Sequence, residues 1–481
     1  MPRENLIPYF EDLPLPFDPV GIFSTVCNYP NSFFLDSSMD KFHSGQFSFM
    51  GFDPFLVYKS RNKDIEVRED NKTTFYKGNP FLYLQEYLKQ YSFKTISELP
   101  PFQGGAVGYF GYDLGHFIEK FDILSREDME IPDCYICFYS TIIMFDHRKK
   151  KILICTLTNK GDGINKATKK IKEIKNLIVS SYLAKPDLSS DFFPISYNFT
   201  SNFTKKKYLN TIIKAKEYIA AGDIYQVNLS QRFSVSCDIP PFDLYLRLRK
   251  INPAPFAAFL NFDNVKILSS SPERFLRISR DHVETRPIKG TRPRSSDFLT
   301  DKKLADELLK SEKDRAELVM IVDLERNDLG KVCRYGSVTV PKLLVLETHP
   351  SVYHLVSTIR GVLHKEKDHI ACLKACFPGG SITGAPKIRS MEIIEELEPT
   401  RRKVYTGSIG YIGFNRETDL NIAIRTIILT NGRAYFQTGG GIVADSDPEA
   451  EYNETLFKAR AMFSALNNEK KVNLETLPQI F

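Results

Sequence analysis

The stretch Thr438–Arg460 near the C-terminus reads TGGGIVADSDPEAEYNETLFKAR. Its three consecutive glycines allow the backbone to approach a bound anion and to adopt conformations that a β-carbon forbids. The Asp447-Pro448 pair that follows is typical of a helix start, with aspartate as the N-cap and proline as the first helical residue. The stretch therefore predicts a glycine loop that leads into a helix.

Three side chains on this predicted helix are candidates for binding chemistry. Glu451, Glu454 and Lys458 recur at i, i+3 and i+7, so they share one helix face. Two carboxylates and an ammonium beside exposed backbone amides suit a divalent hard cation and a carboxylated ligand. A solvated helix face with an i,i+4 pair between Glu454 and Lys458 would explain the same residues, so the rest of the chain has to decide.

Composition narrows the class of protein. The chain has 481 residues, 42% of them hydrophobic and 26% charged, which is ordinary for a globular protein with a large core. The net charge of +6 is too small to indicate nucleic-acid binding. No apolar run reaches the length of a membrane span, and the residues after Met1 lack a secretory stretch. We therefore expect a cytoplasmic protein that binds neither nucleic acid nor membrane.

The chain divides into three regions. Residues 1–185 have the pattern of a lobe with both helices and strands, and residues 204–470 make up a second lobe. Residues 186–203 between them are rich in proline, serine and asparagine and predict a linker. The eight cysteines are scattered, and the lone Cys134/Cys137 pair favours buried thiols over a zinc site.

A β-hairpin is predicted just before the glycine stretch. Asn431-Gly432 favours a tight turn between a strand at 422–430 and a strand at 433–438. Counting outward from that turn places Arg425 opposite Thr438, at the edge of the predicted glycine loop. An arginine there is suited to bidentate binding of a carboxylate, although an ordinary salt bridge is the usual role of a strand arginine.

Two other stretches are ambiguous. Phe377–Lys387 reads FPGGSITGAPK, a second glycine segment before a predicted helix. It lacks the pattern of a nucleotide phosphate loop, but an anion site at the helix N-terminus stays open. His354 alternates with valines on a predicted strand, which fits either a buried core histidine or a general acid or base near neutral pH.

The basic stretch Arg286–Arg294 reads RPIKGTRPR. It fits a surface turn, or alternatively a reactive Lys289. A free lysine has a pKa of about 10.4 and is mostly cationic. We expect Arg286 and Arg292, together with partial burial, to lower the pKa of Lys289 toward that of a neutral, nucleophilic amine.

Six segments in this order resemble the chorismate-utilising enzymes. They are GDIYQVNLSQ from Gly222, SPE from Ser271, PIKGTR from Pro287, DLERNDL from Asp323, FPGGSITGAPK from Phe377, and Gly439–Lys458. The resemblance is strong over residues 200–465 and looser in the N-terminal lobe. It implies an α+β fold of two lobes, with large antiparallel sheets that are sandwiched together and flanked by helices.

Two positions separate the branches of that family. Isochorismate and salicylate synthases have a water-activating lysine where this chain has Gln226, and anthranilate synthases have alanine where it has Lys289. With Lys289, the chain resembles the aminodeoxychorismate synthases, which have lysine at this position and act in the synthesis of p-aminobenzoate and folate. In them this lysine is proposed to attack C2 of chorismate and expel the C4 hydroxyl before ammonia attacks C4. Anthranilate synthase component I is the alternative enzyme, and a catalytically inactive scaffold or tryptophan-binding regulator is a non-enzyme alternative.

The resemblance also implies roles for individual residues. Lys289 is the expected nucleophile, and Glu273 is the expected acid and base at the departing C4 oxygen. Mg²⁺ is expected on Glu317, Glu451 and Glu454, directly or through water. The residues expected to contact chorismate are Arg425, Tyr405, Lys458, Gly440, Gly441, His354, Ser381 and Thr291.

Two partners follow from the same resemblance. The stretches around Ser37, Phe47 and Ser48 are similar to the tryptophan pocket of anthranilate synthase, with Asp36 where glutamate is usual, which implies a pocket for tryptophan. None of the cysteines lies in a Gly-x-Cys-x-Gly elbow. We therefore expect ammonia to come from a separate glutamine amidotransferase subunit.

Overall fold

Two large antiparallel sheets form the framework of the molecule. The computed structural model describes residues 3–4, 6–37, 45–70, 72–159, 161, 163–183, 198–349 and 352–468. Within them, each large sheet has twelve strands, and a short parallel pair stands apart. The strands are β1 Arg3–Glu4, β2 Leu6–Asp12, β3 Ser32–Asp36, β4 Phe47–Gly51, β5 Leu56–Arg61, β6 Asp64–Glu69, β7 Lys72–Lys77, β8 Tyr91–Ser92, β9 Gly105–Phe110, β10 Cys134–Tyr139, β11 Thr141–Asp146, β12 Lys151–Asn159, β13 Thr200–Ser201, β14 Gln226–Ser236, β15 Phe256–Phe262, β16 Val265–Ser271, β17 Arg274–Ser279, β18 His282–Arg286, β19 Ile288–Pro293, β20 Thr339–Thr348, β21 Val352–Val362, β22 Gly384–Ala385, β23 Ser408–Gly413, β24 Glu417–Ile422, β25 Thr426–Thr430 and β26 Arg433–Ile442.

Helices cover the outer faces of the sheets. They are α1 Pro19–Ser24, α2 Pro80–Lys89, α3 Gly163–Leu183, α4 Lys205–Ala220, α5 Pro241–Ile251, α6 Phe298–Lys310, α7 Glu312–Gly330, α8 His369–Cys376, α9 Lys387–Leu397 and α10 Pro448–Asn467, with 3₁₀ turns at Tyr112–Phe117 and Gly380–Ile382. None of these described helices has the length and apolarity needed to cross a membrane.

The strand order interleaves distant parts of the chain. The first sheet runs β19-β21-β18-β17-β24-β23-β9-β10-β5-β6-β7, with β20 beside β21. The second sheet runs β13-β14-β26-β25-β16-β15-β3-β4-β11-β12-β2, with β22 beside β14. The two sheets pack face to face through buried side chains such as Phe33, Val107 and Val265. The predicted architecture of large antiparallel sheets flanked by helices is confirmed.

Both predicted lobes contribute to both sheets. In the first sheet β9 pairs with β23, and in the second sheet β3 pairs with β15. Most of the predicted linker, residues 186–197, lies outside the described residues. The division into lobes therefore stays a prediction, but the sheets themselves are shared between the two regions.

Local signals in the sequence agree with the elements. Ser311 caps α7 by accepting a hydrogen bond from the Asp314 amide, and Asp447 caps α10 through the Ala450 amide. The hairpin β25–β26 turns at Asn431-Gly432, both with positive φ. Cys134 and Cys137 face opposite sides of β10, into different core clusters, so the two thiols cannot hold one metal ion.

A buried ion pair ties the framework together behind β14. The Arg402 side chain is 1% exposed and binds the Glu398 carboxylate with two hydrogen bonds of 2.9 and 2.6 Å. The same guanidinium donates to the carbonyls of Asn228 on β14 and Ile382 in the second 3₁₀ turn. The buried guanidinium therefore links the end of α9 to β14 and to the second 3₁₀ turn.

We expect Arg402→Met to lower the free energy of unfolding by about 3–5 kcal/mol, because it leaves the buried Glu398 carboxylate without its partner. Urea unfolding measures the loss. Arg326→Met removes an exposed arginine from its pair with Asp323 and should cost less than about 1 kcal/mol. The double variant Arg402→Met/Glu398→Gln should recover part of the loss, and no recovery would contradict the electrostatic explanation.

Candidate active site

The candidate residues converge from distant elements. Three strands contribute: Gln226 lies on β14, Lys289 on β19 and the three glycines on β26. Two helices contribute the charged groups, with Glu317 on α7 and Glu451, Glu454 and Lys458 on α10. The segment between β16 and β17 supplies Glu273, and the turn Gly380–Ile382 supplies Ser381. These residues, which the sequence motifs single out, lie together in one cluster.

The three glycines lie in a strand and not in a loop. Gly439, Gly440 and Gly441 belong to β26, where they pair with Ser230, Leu229 and Asn228 of β14. A β-carbon on Gly441 would lie 2.2 Å from Gln226 Nε2, and one on Gly440 would lie 3.0 Å from Glu451 Oε2. The prediction of a loop is therefore wrong, and the side chains of Gln226 and Glu451 lie where β-carbons on Gly441 and Gly440 would point.

Lys289 points into the cluster. Its Nζ lies 3.6 Å from Glu317 Oε2, and the side chain is only 14% exposed. The same carboxylate oxygen accepts a 3.1 Å hydrogen bond from Gln226 Nε2. A β-carbon on Gly441 would sit 3.5 Å from the Lys289 nitrogen, so the amine lies directly over the glycine strand.

The neighbouring arginines have carboxylate partners of their own. Arg286 forms an ion pair with Glu347, and Arg292 forms one with Asp314 at 3.3 Å. The closest charged partner of Lys289 is the Glu317 carboxylate instead.

Each carboxylate on α10 is held by a lysine. Glu454 pairs with Lys458 at 2.6 Å, and Glu451 lies 3.6 Å from Lys313 and accepts a hydrogen bond from Ser446. Burial raises the pKa of Glu451, and the Glu454 charge adds to the rise although Ser446 opposes it. Burial would also raise the pKa of Glu454, but Lys458 reverses the direction and lowers it.

Glu273 is a buried acid beside these charges. Its carboxyl is 5% exposed, and burial raises its pKa to about 7. A 2.8 Å hydrogen bond from Ser381 Oγ and the charges of Lys289 and Lys458 limit the rise. Near neutral pH this group therefore exchanges a proton readily, as a general acid or base must.

Arg425 does not occupy the predicted place. The β25–β26 ladder ends at Ile427 opposite Phe436, and Arg425 precedes β25 in a left-handed conformation with φ 49°. The register count failed because the predicted single strand 422–430 is interrupted between β24 and β25. The guanidinium donates to the Asn252 side chain at 2.8 Å, and burial lowers its pKa. Among the described residues it has no carboxylate partner within ion-pair distance, which leaves it available to an anionic ligand.

His354 is buried next to Arg425. Burial lowers the pKa of His354 to about 3, and the charges of His349 and Arg425 act in the same direction. The imidazole is therefore neutral at pH 7, which fits a buried histidine and does not fit a general acid or base near neutral pH. Thr291, its register partner on β19, is exposed.

Tyr405 lies beside β14. Its ring is buried, 5.7 Å from the Arg402 guanidinium, and burial raises the pKa of its hydroxyl. Its side chain interacts with Asn228, the register partner of Gly441. Tyr405 is thus linked to the glycine strand through β14.

The three glutamates form an all-oxygen donor set that fits Mg²⁺. Their oxygens do not form a group lying within 4.8 Å of one another; among the described residues that spacing occurs elsewhere. Mg²⁺ commonly uses one or two carboxylates and keeps several waters. Glu451 and Glu454 both approach Gly440, at 3.0 and 3.7 Å from the position of a β-carbon, so the missing side chain leaves room beside them.

Two contributors were not among the expected site residues. Lys313 contacts Glu451, and Gln226 hydrogen-bonds Glu317. The spacing of Lys313 to Glu317, four residues on one helix, could have identified the first. The identity of residue 226 indicated the branch of the enzyme family, but it did not indicate that the Gln226 side chain donates a hydrogen bond to Glu317.

A separate cavity of about 130 Å³ lies between the two sheets. Ser37, Phe47 and Asp36 line it, together with Arg274 and Asn421. Ser48 was expected in this pocket but does not line it. Alternation along β4 turns its hydroxyl to His147 and to the Ser37 amide, at 2.7 and 3.0 Å, so it supports the wall from behind.

Comparisons with known proteins identify the family of the chain. The family model of chorismate binding enzymes matches residues 32–464. Aminodeoxychorismate synthase component 1 of Bacillus subtilis is 41% identical over 434 residues, covering 89% of this chain and 91% of that protein. Anthranilate synthase component 1 of Acetivibrio thermocellus is 39% identical over 466 residues, covering 94% of each.

A solved structure gives the same answer for the fold. Anthranilate synthase component I from Streptococcus pneumoniae superposes with a TM-score of 0.77 at 35% identity, covering 87% of this chain and 92% of that one. The matched sequence includes the glycine strand, Lys289 and the carboxylates of α7 and α10. The chain belongs to the family of chorismate binding enzymes.

Proposed function

We propose that the protein is the synthase subunit of an aminodeoxychorismate synthase, which replaces the C4 hydroxyl of chorismate by an amino group. The observation that carries the proposal is the position of the Lys289 amine over the glycine strand, 3.6 Å from Glu317 and within electrostatic reach of Glu273. Sequence identity alone does not favour one reaction, because aminodeoxychorismate and anthranilate synthases are similar to this chain to nearly the same degree. Lys289 and Gln226 supply the distinction.

The proposed reaction uses two displacements. The neutral Lys289 amine forms a bond to C2 of chorismate, the ring double bonds shift, and the C4–O bond breaks. Glu273 gives its proton to the departing oxygen, so water leaves, and the Glu273 carboxylate then takes back the extra proton of the new C2–N linkage. Ammonia forms a bond to C4, the double bonds shift back, and the C2–N bond breaks as Glu273 returns that proton to the Lys289 nitrogen, which leaves as a neutral amine.

The surrounding residues hold the substrate for this attack. Arg425 has no carboxylate partner among the described residues and is suited to a chorismate carboxylate. Lys458 and the backbone of Gly440–Gly441 are suited to the other. Glu317, Glu451 and Glu454 would hold Mg²⁺, which when bound supplies positive charge to the ring carboxylate. Gln226 stands where a water-activating lysine would otherwise compete with ammonia.

Two partners complete the proposal. Ammonia would come from a separate glutamine amidotransferase subunit, and the product would lead to p-aminobenzoate and folate. The cavity lined by Ser37 and Phe47 would hold tryptophan, because it combines aromatic walls with the polar side chains of Asp36 and Asn421.

Product identity is the first test. With chorismate, Mg²⁺ and ammonium, we expect a product that yields p-aminobenzoate only after an aminodeoxychorismate lyase is added. Chromatography with fluorescence detection separates the alternatives. Anthranilate formed without the lyase would establish the alternative reaction and overturn the proposal.

Lys289→Ala should reduce aminodeoxychorismate formation about 1,000-fold or more, because the nucleophile is gone. Chorismate binding, measured by calorimetry with Mg²⁺, should remain. Lys289→Arg is the matched control, since it keeps the positive charge without a nucleophilic amine, and it should be equally inactive. Substantial turnover in the arginine variant would mean that position 289 supplies only charge and that ammonia attacks the ring directly.

Glu273→Gln should change how stability depends on pH. The pKa of Glu273 rises from 4.5 to about 7 in the folded protein. Between these values the unfolded chain releases a proton that the folded chain keeps, so the wild type loses stability as pH rises. The glutamine variant should therefore gain up to about 3 kcal/mol relative to wild type between pH 4.5 and 8.

Urea unfolding at several pH values measures this difference. Glu366→Gln changes an exposed glutamate and should follow the wild-type curve. If Glu273→Gln also followed it, the carboxyl of Glu273 would not be the buried acid that the mechanism needs.

Ser37→Tyr should weaken tryptophan binding at least about tenfold, because the larger side chain fills the cavity. Calorimetric titration with tryptophan measures the affinity. Ser296→Tyr places the same side chain on an exposed loop and should bind as the wild type does. Absence of tryptophan binding in the wild type would rule out this use of the cavity.

A further inference from the structure

A second cluster of ligand-type side chains lies outside the active site. Asp113 and His116 come from the 3₁₀ turn Tyr112–Phe117, and Glu395 comes from α9. One nitrogen or oxygen from each lies within 4.8 Å of the other two, and no other group of three His, Cys, Asp or Glu in the described chain has this spacing. Asp113 and Glu395 are each 4% exposed, and the His116 side chain is 9% exposed.

The cluster contains polar atoms without partners. Asp113 Oδ1 and both ring nitrogens of His116 are buried and have no hydrogen bond to any described residue. Such groups cost about 1–3 kcal/mol each when they are left unsatisfied, so native proteins rarely retain several together. A carboxylate oxygen and an imidazole that lie this close together, both buried and without a hydrogen bond, are suited to binding one shared ligand.

Glu395 is already oriented for such a ligand. Its Oε2 accepts hydrogen bonds from the amides of Leu124 and Ser125 and from the Ser125 hydroxyl, at 3.2, 3.1 and 2.7 Å. Its Oε1 lies 3.2 Å from His116 Nε2, without hydrogen-bond geometry. One oxygen is thus fixed by the protein, and the other faces the imidazole and Asp113.

We propose that Asp113, His116 and Glu395 form a second metal site, which binds a divalent transition-metal ion such as Zn²⁺. One imidazole and two carboxylates are typical ligands of these ions, whereas Mg²⁺ prefers oxygen alone. Two carboxylates balance the charge of a divalent cation. Lys403, the nearby cation, is already paired with Glu127 at 2.7 Å and Asp133 at 2.9 Å.

The competing explanation is an ion pair between protonated His116 and Glu395. It would leave Asp113 Oδ1 and His116 Nδ1 without partners, whereas metal coordination uses Asp113 as well. The site also lies at a junction, since it joins the N-terminal region to α9, and α9 begins directly after the segment that carries Ser381. A bound ion would fasten α9 where Gly115 lies against Met391, so closely that a β-carbon on Gly115 would lie 2.7 Å from Met391 Cε.

Zinc titration of the full chain tests the proposal. Protein freed of metal with a chelator is titrated with Zn²⁺ against a chromophoric competitor in saturating Mg²⁺, and bound zinc is counted by mass spectrometry. The background is Glu454→Gln, which disables the proposed Mg²⁺ site, so zinc bound there is not counted. We expect one equivalent of tightly bound Zn²⁺, and a Co²⁺-substituted protein with visible absorption bands.

His116→Gln should weaken Zn²⁺ binding at least about 100-fold, because loss of a residue that only supports a ligand already costs 10–100-fold. His282→Gln is the matched control: it removes an exposed histidine that also lies beside an aspartate, at 3.1 Å, and should bind as the parent does. Zn²⁺ should raise the thermal unfolding midpoint of the parent and the control but not of His116→Gln.

Asp113→Asn keeps the shape of the side chain and should weaken binding as well, so the test survives if His116→Gln does not fold. Absence of a tight equivalent in the Glu454→Gln background would overturn the proposal and favour the ion pair. Equal zinc affinity in His116→Gln and the parent would overturn it too. Neither result bears on the chorismate reaction, because the two sites share no residue.

Discussion

The active site depends on Gly439–Gly441, a segment of β26 that carries no side chains. Over Gly439–Gly441, β26 keeps its full pairing with β14, so the floor of the site is rigid. Gln226 and Lys289 lie where a side chain on Gly441 would point, and the two carboxylates of α10 lie where one on Gly440 would point. An alanine at Gly441 would place its methyl group 2.2 Å from the Gln226 amide nitrogen, so the end of the Gln226 side chain would have to move out of its contact with Glu317.

Charge balance is the second constraint. The three glutamates proposed to hold Mg²⁺ each lie beside a lysine: Glu317 beside Lys289, Glu451 beside Lys313 and Glu454 beside Lys458. A buried charge is costly without a partner, so these pairs hold the site together before any ligand arrives. A divalent cation and a dicarboxylate bring equal and opposite charge. Under the proposed function, both can therefore enter together without upsetting this balance, and Arg425 gains the partner that it lacks.

Sequence reasoning succeeded where the signal was local and failed where it depended on distant pairing. The cap at Asp447 and the Asn431-Gly432 turn each depend on a few adjacent residues, and both were predicted correctly. The placement of Arg425 needed to know that β24 and β25 are separate strands. The glycine segment looks the same in sequence whether it is a loop or a strand, because only its partner β14, two hundred residues earlier, decides between them. The resemblance supplied most of the site composition, whereas contacts such as Lys313 with Glu451 required the fold.

The cavity between the sheets and the buried acid share two stretches of backbone. Arg274 lines the cavity and directly follows Glu273, and Asn421 lines it and directly precedes Ile422, whose amide donates to the Glu273 carbonyl at 3.0 Å. Arg274 is itself fixed by hydrogen bonds to Asp419, a further wall residue. A ligand in the cavity would therefore contact residues one peptide away from the acid, without touching the substrate. A close-packed interior transmits strain, so these shared stretches of backbone are a short physical connection between the cavity and Glu273. The cavity needs strands from both parts of the chain, because β3 and β4 form one wall and β17 and β24 form the other. The N-terminal region therefore belongs to the same sheets as the site.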